Sequence, residues 1–208
     1  MLQSEIVPLY PTPLYNCLID LDDQEVSYIK GLEIDHRPDR CMSKSKRVVT
    51  ADNTPTTYQQ VMAHLYNFVD AVGFNVDLQM TTSWINLHER GNSSRRHIHG
   101  NSIIGGVLFL DTPPDTGDFL IFNPEVNGNR LFSSHIECPK HKITEYNAEY
   151  RSIKPTTGQL LLFPSFLAHA VTENKCDELR WTIGFSFFAL GTLRQGNLGE
   201  ITFHASNS

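Results

Sequence analysis

Apolar and polar positions fall into two regimes along the chain, a short lead with helix-like spacing and then a long series of strand-like runs. From Val7 to Tyr15 prolines alternate with apolar residues, which predicts an extended leading segment. Asp22, Asp23 and Gln24 can open a short helix that Gly31 ends. Residues 35 to 53 are polar and aperiodic and predict a long loop. A second helix follows: Thr56 or Thr57 can cap it, with Gln59 or Gln60 three positions on, as a capping box requires. Val61, Leu65, Val69 and Val72 then share one helical face, and Gly73 supplies the stop. His64 lies off that stripe and reads as a partly exposed helix residue.

Beyond Gly73 the period changes. Strands are predicted at residues 78 to 87, 103 to 110, 119 to 122, 149 to 153, 159 to 163, 180 to 188 and 200 to 204. Turn chemistry separates several of them, at Pro113-Pro114-Asp115-Thr116-Gly117, Asn127-Gly128-Asn129 and Pro155-Thr156-Thr157-Gly158. Short strands at such intervals after a helical lead predict a mainly β chain, a double-stranded β-helix (jelly roll) with N-terminal supporting helices. No repeat or long linker divides it, so residues 1–208 read as one domain, with 1–75 an extended and helical lead and 76–208 the barrel.

Composition narrows the classes. A net charge of −6 gives no basic footprint for nucleic acid; the cluster Lys44, Lys46 and Arg47 reads as a solvated loop. The amino terminus lacks a signal-peptide layout, and no apolar run approaches the ~18 residues that span a bilayer. The four cysteines, Cys17, Cys41, Cys138 and Cys176, are scattered with no C-x-x-C pair, which suits reduced thiols. A soluble cytoplasmic protein without a membrane or nucleic-acid partner is expected. Oligomeric state is not written in the sequence.

Candidate chemistry centres on histidine. On an extended strand His97 and His99 point to one face and Ile98 to the opposite layer. With His169 they form a three-imidazole set that suits a transition metal, and a facial arrangement with open positions suits oxygen chemistry at ferrous iron. Arg180 opens an apolar strand, where an inward charge is costly unless paired. Its guanidinium can grip a carboxylate with two hydrogen bonds, or form a structural salt bridge. Thr182 shares its face and adds a hydroxyl. Asn86 can contribute an amide to the same pocket, and Trp84 can wall it. Ser102, Ser165, Asp111 and Asp118 read as turn or cap residues, and Glu89 and Glu173 are not spaced to complete a ligand set. His88, His135, His141 and His204 are expected at the surface, and Arg95 and Arg96 at the mouth in solvent or against an acidic substrate.

Two resemblances follow. The stretches Gly91-x5-His97-x-His99 and Gly158-x5-Pro164-x4-His169 are similar to the two halves of the cupin signature, but the acid expected after the second histidine is missing and Phe166 replaces a glycine. The chain resembles more fully the 2-oxoglutarate- and Fe(II)-dependent oxygenases, in particular a branch found in phages and bacteria. The landmarks are the lead from Leu9 to Leu14, Trp84-Ile85-Asn86, His97-x-His99-Gly100-Asn101-Ser102, the strand from Gly105 to Leu110, the run from Pro155 to Ser165, His169-x-Val171 and Arg180-x-Thr182. The resemblance implies a cupin-like barrel and a hydroxylase that uses Fe(II), 2-oxoglutarate and O2 and releases succinate and CO2. It implies His97 and His169 as ligands and Arg180 with Thr182 as the clamp on the cosubstrate's remote carboxylate. His99 stands where the family usually has Asp or Glu, and is either a third ligand or a neighbour of the metal. If phage-encoded, the enzyme would work in the host cytoplasm. A cupin-like three-histidine dioxygenase that does not use 2-oxoglutarate, and a non-catalytic jelly-roll binding or virion-associated protein, remain as alternatives.

Overall fold

The computed structural model describes residue 6 and residues 11–37, 40–124, 139–194 and 199–205. Two antiparallel sheets face each other, and helices cover the outer side of the larger one. In chain order the elements are β1 (Tyr15–Leu18), α1 (Asp23–Lys30), β2 (Ile34–Arg37), β3 (Arg40–Ser43), α2 (Pro55–Ala71), β4 (Asp77–His88) and β5 (Ser94–His97). There follow β6 (Ile104–Asp111), β7 (Phe119–Phe122), β8 (Tyr150–Ile153), β9 (Gln159–Pro164), β10 (His169–Val171), β11 (Arg180–Arg194) and β12 (Glu200–Phe203). The larger sheet runs β1-β9-β6-β11-β4-β3-β2, with β12 pairing with β11, and the smaller runs β5-β10-β7-β8. This is the jelly roll that the strand spacing predicts.

Strand alternation explains the layering. Leu108, Leu160, Leu162, Ile183, Phe185 and Ile85 point outward, into a core shared with Ile29 of α1 and with Val61, Leu65, Phe68 and Val69 of α2. Their neighbours Val107, Phe109, Leu161 and Phe163 point inward, against Phe119 of the smaller sheet and Leu167. Both faces of β6 and β9 are therefore buried, which accounts for their nearly continuous apolar sequences. On β11 the same alternation turns Trp181 and Ile183 toward the helices, so Arg180 and Thr182 face between the sheets.

Several expectations need correction. The predicted loop at 35 to 53 contains the hairpin β2–β3, which adds two strands to the sheet beside β4. It escaped periodicity because its outer strand is a half-exposed edge with a polar sequence. Ser43 is buried and its hydroxyl accepts the N–H of Ile85 (2.9 Å) while donating to the Ser45 carbonyl (2.7 Å). The extended lead does supply a strand: β1 pairs with β9, Tyr15 opposite Leu162. In α1 Asp22 is the cap, as expected, accepting the N–H groups of Gln24 and Glu25.

In α2 the capping box at Thr56 or Thr57 does not form. The helix starts at Pro55 behind Thr54, whose side chain makes no cap bond. Glu25 of α1 supplies the cap across the gap, its carboxylate accepting the N–H of Thr56 (2.7 Å) and the N–H and hydroxyl of Thr57 (2.9 and 2.7 Å). Burial alone would raise the Glu25 pKa, but the Thr57 and Thr56 hydrogen bonds prevail and hold it below the usual carboxylate value. Val72 is exposed and Phe68 takes its place on the buried stripe. Glu25→Ala should cost about 2 kcal/mol in urea unfolding, since three donors lose their acceptor. An unchanged midpoint would show that water replaces the carboxylate.

Candidate active site

The cavity between the sheets has a volume of about 550 Å³. Its wall is built from β4, β11 and β6 on one side and from β5, β10 and the segments around them on the other. The described lining residues include no Asp or Glu.

At one end three imidazoles converge. His169 of β10 lies opposite His97 of β5 in the smaller sheet, with ring centroids 4.3 Å apart. His99 joins them, 4.8 Å from His169 and 5.6 Å from His97 between centroids. One ring nitrogen from each comes within 4.8 Å of the others. His99 arrives differently from the expectation. β5 ends at His97, so His99 lies on the loop beyond it, and Ile98 points to solvent, not into an opposite layer. That loop is pinned where the Ser165 hydroxyl donates to Ser102 (2.8 Å) and Ser102 donates to the Ile104 carbonyl (2.7 Å).

The tautomers of two rings are fixed by their partners. His97 Nδ1 sits 2.7 Å from the Arg95 carbonyl and His169 Nδ1 3.0 Å from the Leu167 carbonyl. A carbonyl only accepts, so Nδ1 carries the proton in each and Nε2 keeps its lone pair for a metal. Burial first, then the charge of His97, lowers the pKa of His99 to about 4. Burial likewise takes His169 to about 3, against a backbone hydrogen bond from Leu167 that raises it. Both are neutral, the form that binds metal. Around them stand Phe163 and Phe119, with ring centroids 4.9 and 5.5 Å from His169, and Trp84, 5.2 Å from His99. Gly184 opposite Trp84 is required by space, since a Cβ there would lie 2.5 Å from the indole.

Toward the other end, β4 and β11 place cross-strand pairs on the inner face: Trp84 with Gly184, Asn86 with Thr182 and His88 with Arg180. Arg180 is fully buried (0% exposed). Its Nη1 donates to the carbonyls of Thr116 (3.1 Å) and Gly117 (3.0 Å), while Nε and Nη2 have no partner among the described residues. Burial lowers its pKa to about 10, with Asp118 opposing, so it stays a cation. The alternative reading of Arg180 as a salt-bridge residue is not met, as no carboxylate contacts it among the described residues. Thr182 is buried, with its hydroxyl 3.4 Å from the Asn86 carbonyl. The Asn86 side-chain oxygen accepts from the Trp84 indole (3.2 Å).

Other candidates stay outside. Arg95 lines the mouth, and Arg96 lies over the Phe122 ring at 4.3 Å. Asp111 pairs with Lys30 (2.6 Å) and Asp118 accepts from Ser152 (2.6 Å). Glu89 lies 3.4 Å from His36 in an exposed pair beside Cys41. His141 and His204 are exposed, and His135 and the turn at 127–129 lie outside the described residues. His88, expected at the surface, is instead buried and lines the cavity. Asn174 was not anticipated at all. Its buried amide donates to the carbonyls of His88 (3.0 Å) and Glu178 (2.8 Å), tying the end of β4 to the approach to β11.

Residues 82–186, about half of the chain and all of the cavity wall from Trp84 to Gly184, match the model of a family of 2OG-Fe(II) oxygenases. The chain belongs to this family. No curated protein matches the sequence. Among solved structures the oxygenase resembles HygX from Streptomyces hygroscopicus with nickel and 2-oxoglutarate bound, at 12% identity and TM-score 0.56 over 85% of this chain and 82% of that one. It also resembles a Pseudomonas putida prolyl-4-hydroxylase, at 14% identity and TM-score 0.54 over 85% and 92%. A third is the α-ketoglutarate-dependent epimerase SnoN from nogalamycin biosynthesis, at 10% and 0.56 over 90% and 82%. At such identities the likeness shows the fold. Membership makes Fe(II), 2-oxoglutarate and O2 the cofactor and cosubstrates of this enzyme, and sets aside the cupin and non-catalytic alternatives. The residues fit that chemistry: nitrogen donors suit iron, and two unspent nitrogens on one edge of a buried guanidinium suit a carboxylate. Among the described residues no helix is long and apolar enough to cross a membrane.

Proposed function

We propose that His97, His99 and His169 hold the Fe(II), that Arg180, Thr182 and Asn86 hold the remote carboxylate of 2-oxoglutarate, and that the enzyme hydroxylates a substrate admitted at the cavity mouth. Succinate and CO2 are the co-products. One observation carries the reading: three imidazoles converge, with His169 buried and His99 half-buried, on an inner face that also carries a buried cation with two guanidinium nitrogens unspent.

Bound metal and cosubstrate together supply oxygen activation, driven by oxidative decarboxylation. The chain supplies the rest. Carbonyls of Arg95 and Leu167 orient two of the rings. Arg180 anchors the far carboxylate, and so fixes where the keto acid end meets the metal. Trp84, Phe119 and Phe163 keep water away from the reacting centre. His99 occupies the position that a halide would need, which favours hydroxylation over halogenation. Three described cysteines, Cys17, Cys41 and Cys176, are free, in keeping with a reducing cytoplasmic setting.

Anaerobic addition of Fe(II) and 2-oxoglutarate should give the weak visible charge-transfer band of an α-keto acid chelate. Arg180→Ala should raise the 2-oxoglutarate dissociation constant about a hundredfold, the scale of removing a buried charge partner. Wild-type protein with iron demonstrably bound and no band would sink the proposal.

A further inference from the structure

His88 is not needed for the ligand set or the arginine clamp described above, yet it is built into the cavity. It is buried (4% exposed) and lies directly across from Arg180 in the β4–β11 register. Residues opposite each other in an antiparallel pair share a face, with Cβ atoms ~5 Å apart. Its Nε2 lies 2.8 Å from the Ser94 hydroxyl, while its Nδ1 is enclosed with no partner among the described residues. An unmatched polar atom in such a place costs free energy unless something pairs with it. Arg180 Nε and Nη2, on one edge of the guanidinium, are unmatched in the same way. Three unmatched polar atoms thus belong to two facing side chains on the inner face.

We propose that His88 is a third arm of the cosubstrate clamp, its Nδ1–H donating to the remote carboxylate of 2-oxoglutarate beside the Arg180 fork, with Ser94 holding Nε2 on the other side of the ring. This rests on the reading of Arg180 given above. The serine hydroxyl can serve Nε2 as donor as well as acceptor, so the ring can carry its proton on Nδ1 when a carboxylate faces it. Burial first, and Arg180 second, disfavour a charged imidazole here, so His88 acts as a neutral donor. The clamp then offers three N–H groups to two carboxylate oxygens, with Thr182 one step further along the wall. Asn174 and Ser94 make His88 a positioned group: the first holds its backbone and the second its ring.

The test compares 2-oxoglutarate with pyruvate, an α-keto acid that lacks the remote carboxylate. Binding of each to the Mn(II)-loaded protein would be measured by calorimetry, together with melting temperature. His88→Leu should weaken 2-oxoglutarate about ten- to a hundredfold and leave pyruvate unchanged, the range for a hydrogen bond to a charged group. His88→Gln, which keeps an N–H donor, should recover part of the loss. Ser94→Ala should weaken 2-oxoglutarate by a smaller factor and serves if the leucine variant folds poorly. The inference is overturned if His88→Leu binds 2-oxoglutarate as wild type does, or if both keto acids weaken equally, which marks a structural role. Wild-type protein that binds Mn(II) and prefers neither keto acid would instead remove the clamp reading of Arg180, and this inference with it.

Discussion

His169→Ala should lower the affinity for Fe(II), or for Mn(II) as its redox-inert substitute, on the order of a thousandfold. Residues that only orient a metal ligand are worth about 10–100-fold, and a ligand with its own donor atom is worth more. His169 is nearly enclosed (4% exposed) and held by the Leu167 carbonyl, so alanine leaves an apolar gap beside Phe163 in place of a donor. His97→Ala should fall in the same range. His99→Asp should retain affinity within about tenfold, because it exchanges a neutral donor for the negative charge usual at that position. Equilibrium dialysis of the three variants, each with a melting curve, checks the series. Near-wild-type affinity in folded His169→Ala would remove the metal site as proposed.

Three imidazoles and, among the described residues, a wall without Asp or Glu would leave the charge of a metal held at the proposed site uncompensated by the protein. Arg180 adds a second fixed cation on the same inner face. A dianionic cosubstrate is what such a field attracts, one carboxylate for each positive centre. The missing acid and the doubly unspent arginine are thus two sides of one arrangement.

How far the sequence foretold this depends on the element. Long strands inside the sheet carried their own signal, since both faces of β6 and β9 are apolar and β11 alternates. The hairpin β2–β3 carried none, because β2 is an edge strand with a polar sequence that half faces water, and the buried Ser43 of β3 is satisfied by Ser45 and by the distant Ile85, which no period records. The α2 cap was misplaced for a related reason: Glu25 acts across space from another helix, and no local motif records that. Convergence of His97 with His169 was legible because motif spacing survives in the chain. His88 reads as a surface histidine although the parity of its strand points inward: Trp84, Asn86 and His88 alternate along one strand and share the inner face. Asn174 had no such signal, as its role is to join two loop ends through backbone carbonyls.

Metal-free protein should lose stability steadily as the pH falls from about 6.5 toward 4. Burial first, and Arg180 second, holds the pKa of His88 at about 3. Burial is also the leading cause for His169 at about 3 and for His99 at about 4. In the unfolded chain all three return to about 6.5. Below that value the unfolded state takes up protons that the folded state refuses, so the equilibrium moves toward unfolding until the folded pKa values are reached. Each buried histidine contributes up to about 1.4 kcal/mol per pH unit within this window, so three together remove several kcal/mol. Glu25, whose pKa is lowered, loses its contribution only below the usual carboxylate range and so adds to the fall at the acid end. Urea midpoints at pH 7.5, 6 and 5 measure the slope, and His169→Phe should flatten it by about a third. Added Mn(II) should raise stability at neutral pH and lose that effect on acidification, because only neutral imidazoles ligate. A midpoint constant from pH 7.5 to 5 would mean that the folded protein takes up these protons freely. The neutral forms of His99 and His169 that the proposed metal site needs would then not be held by burial.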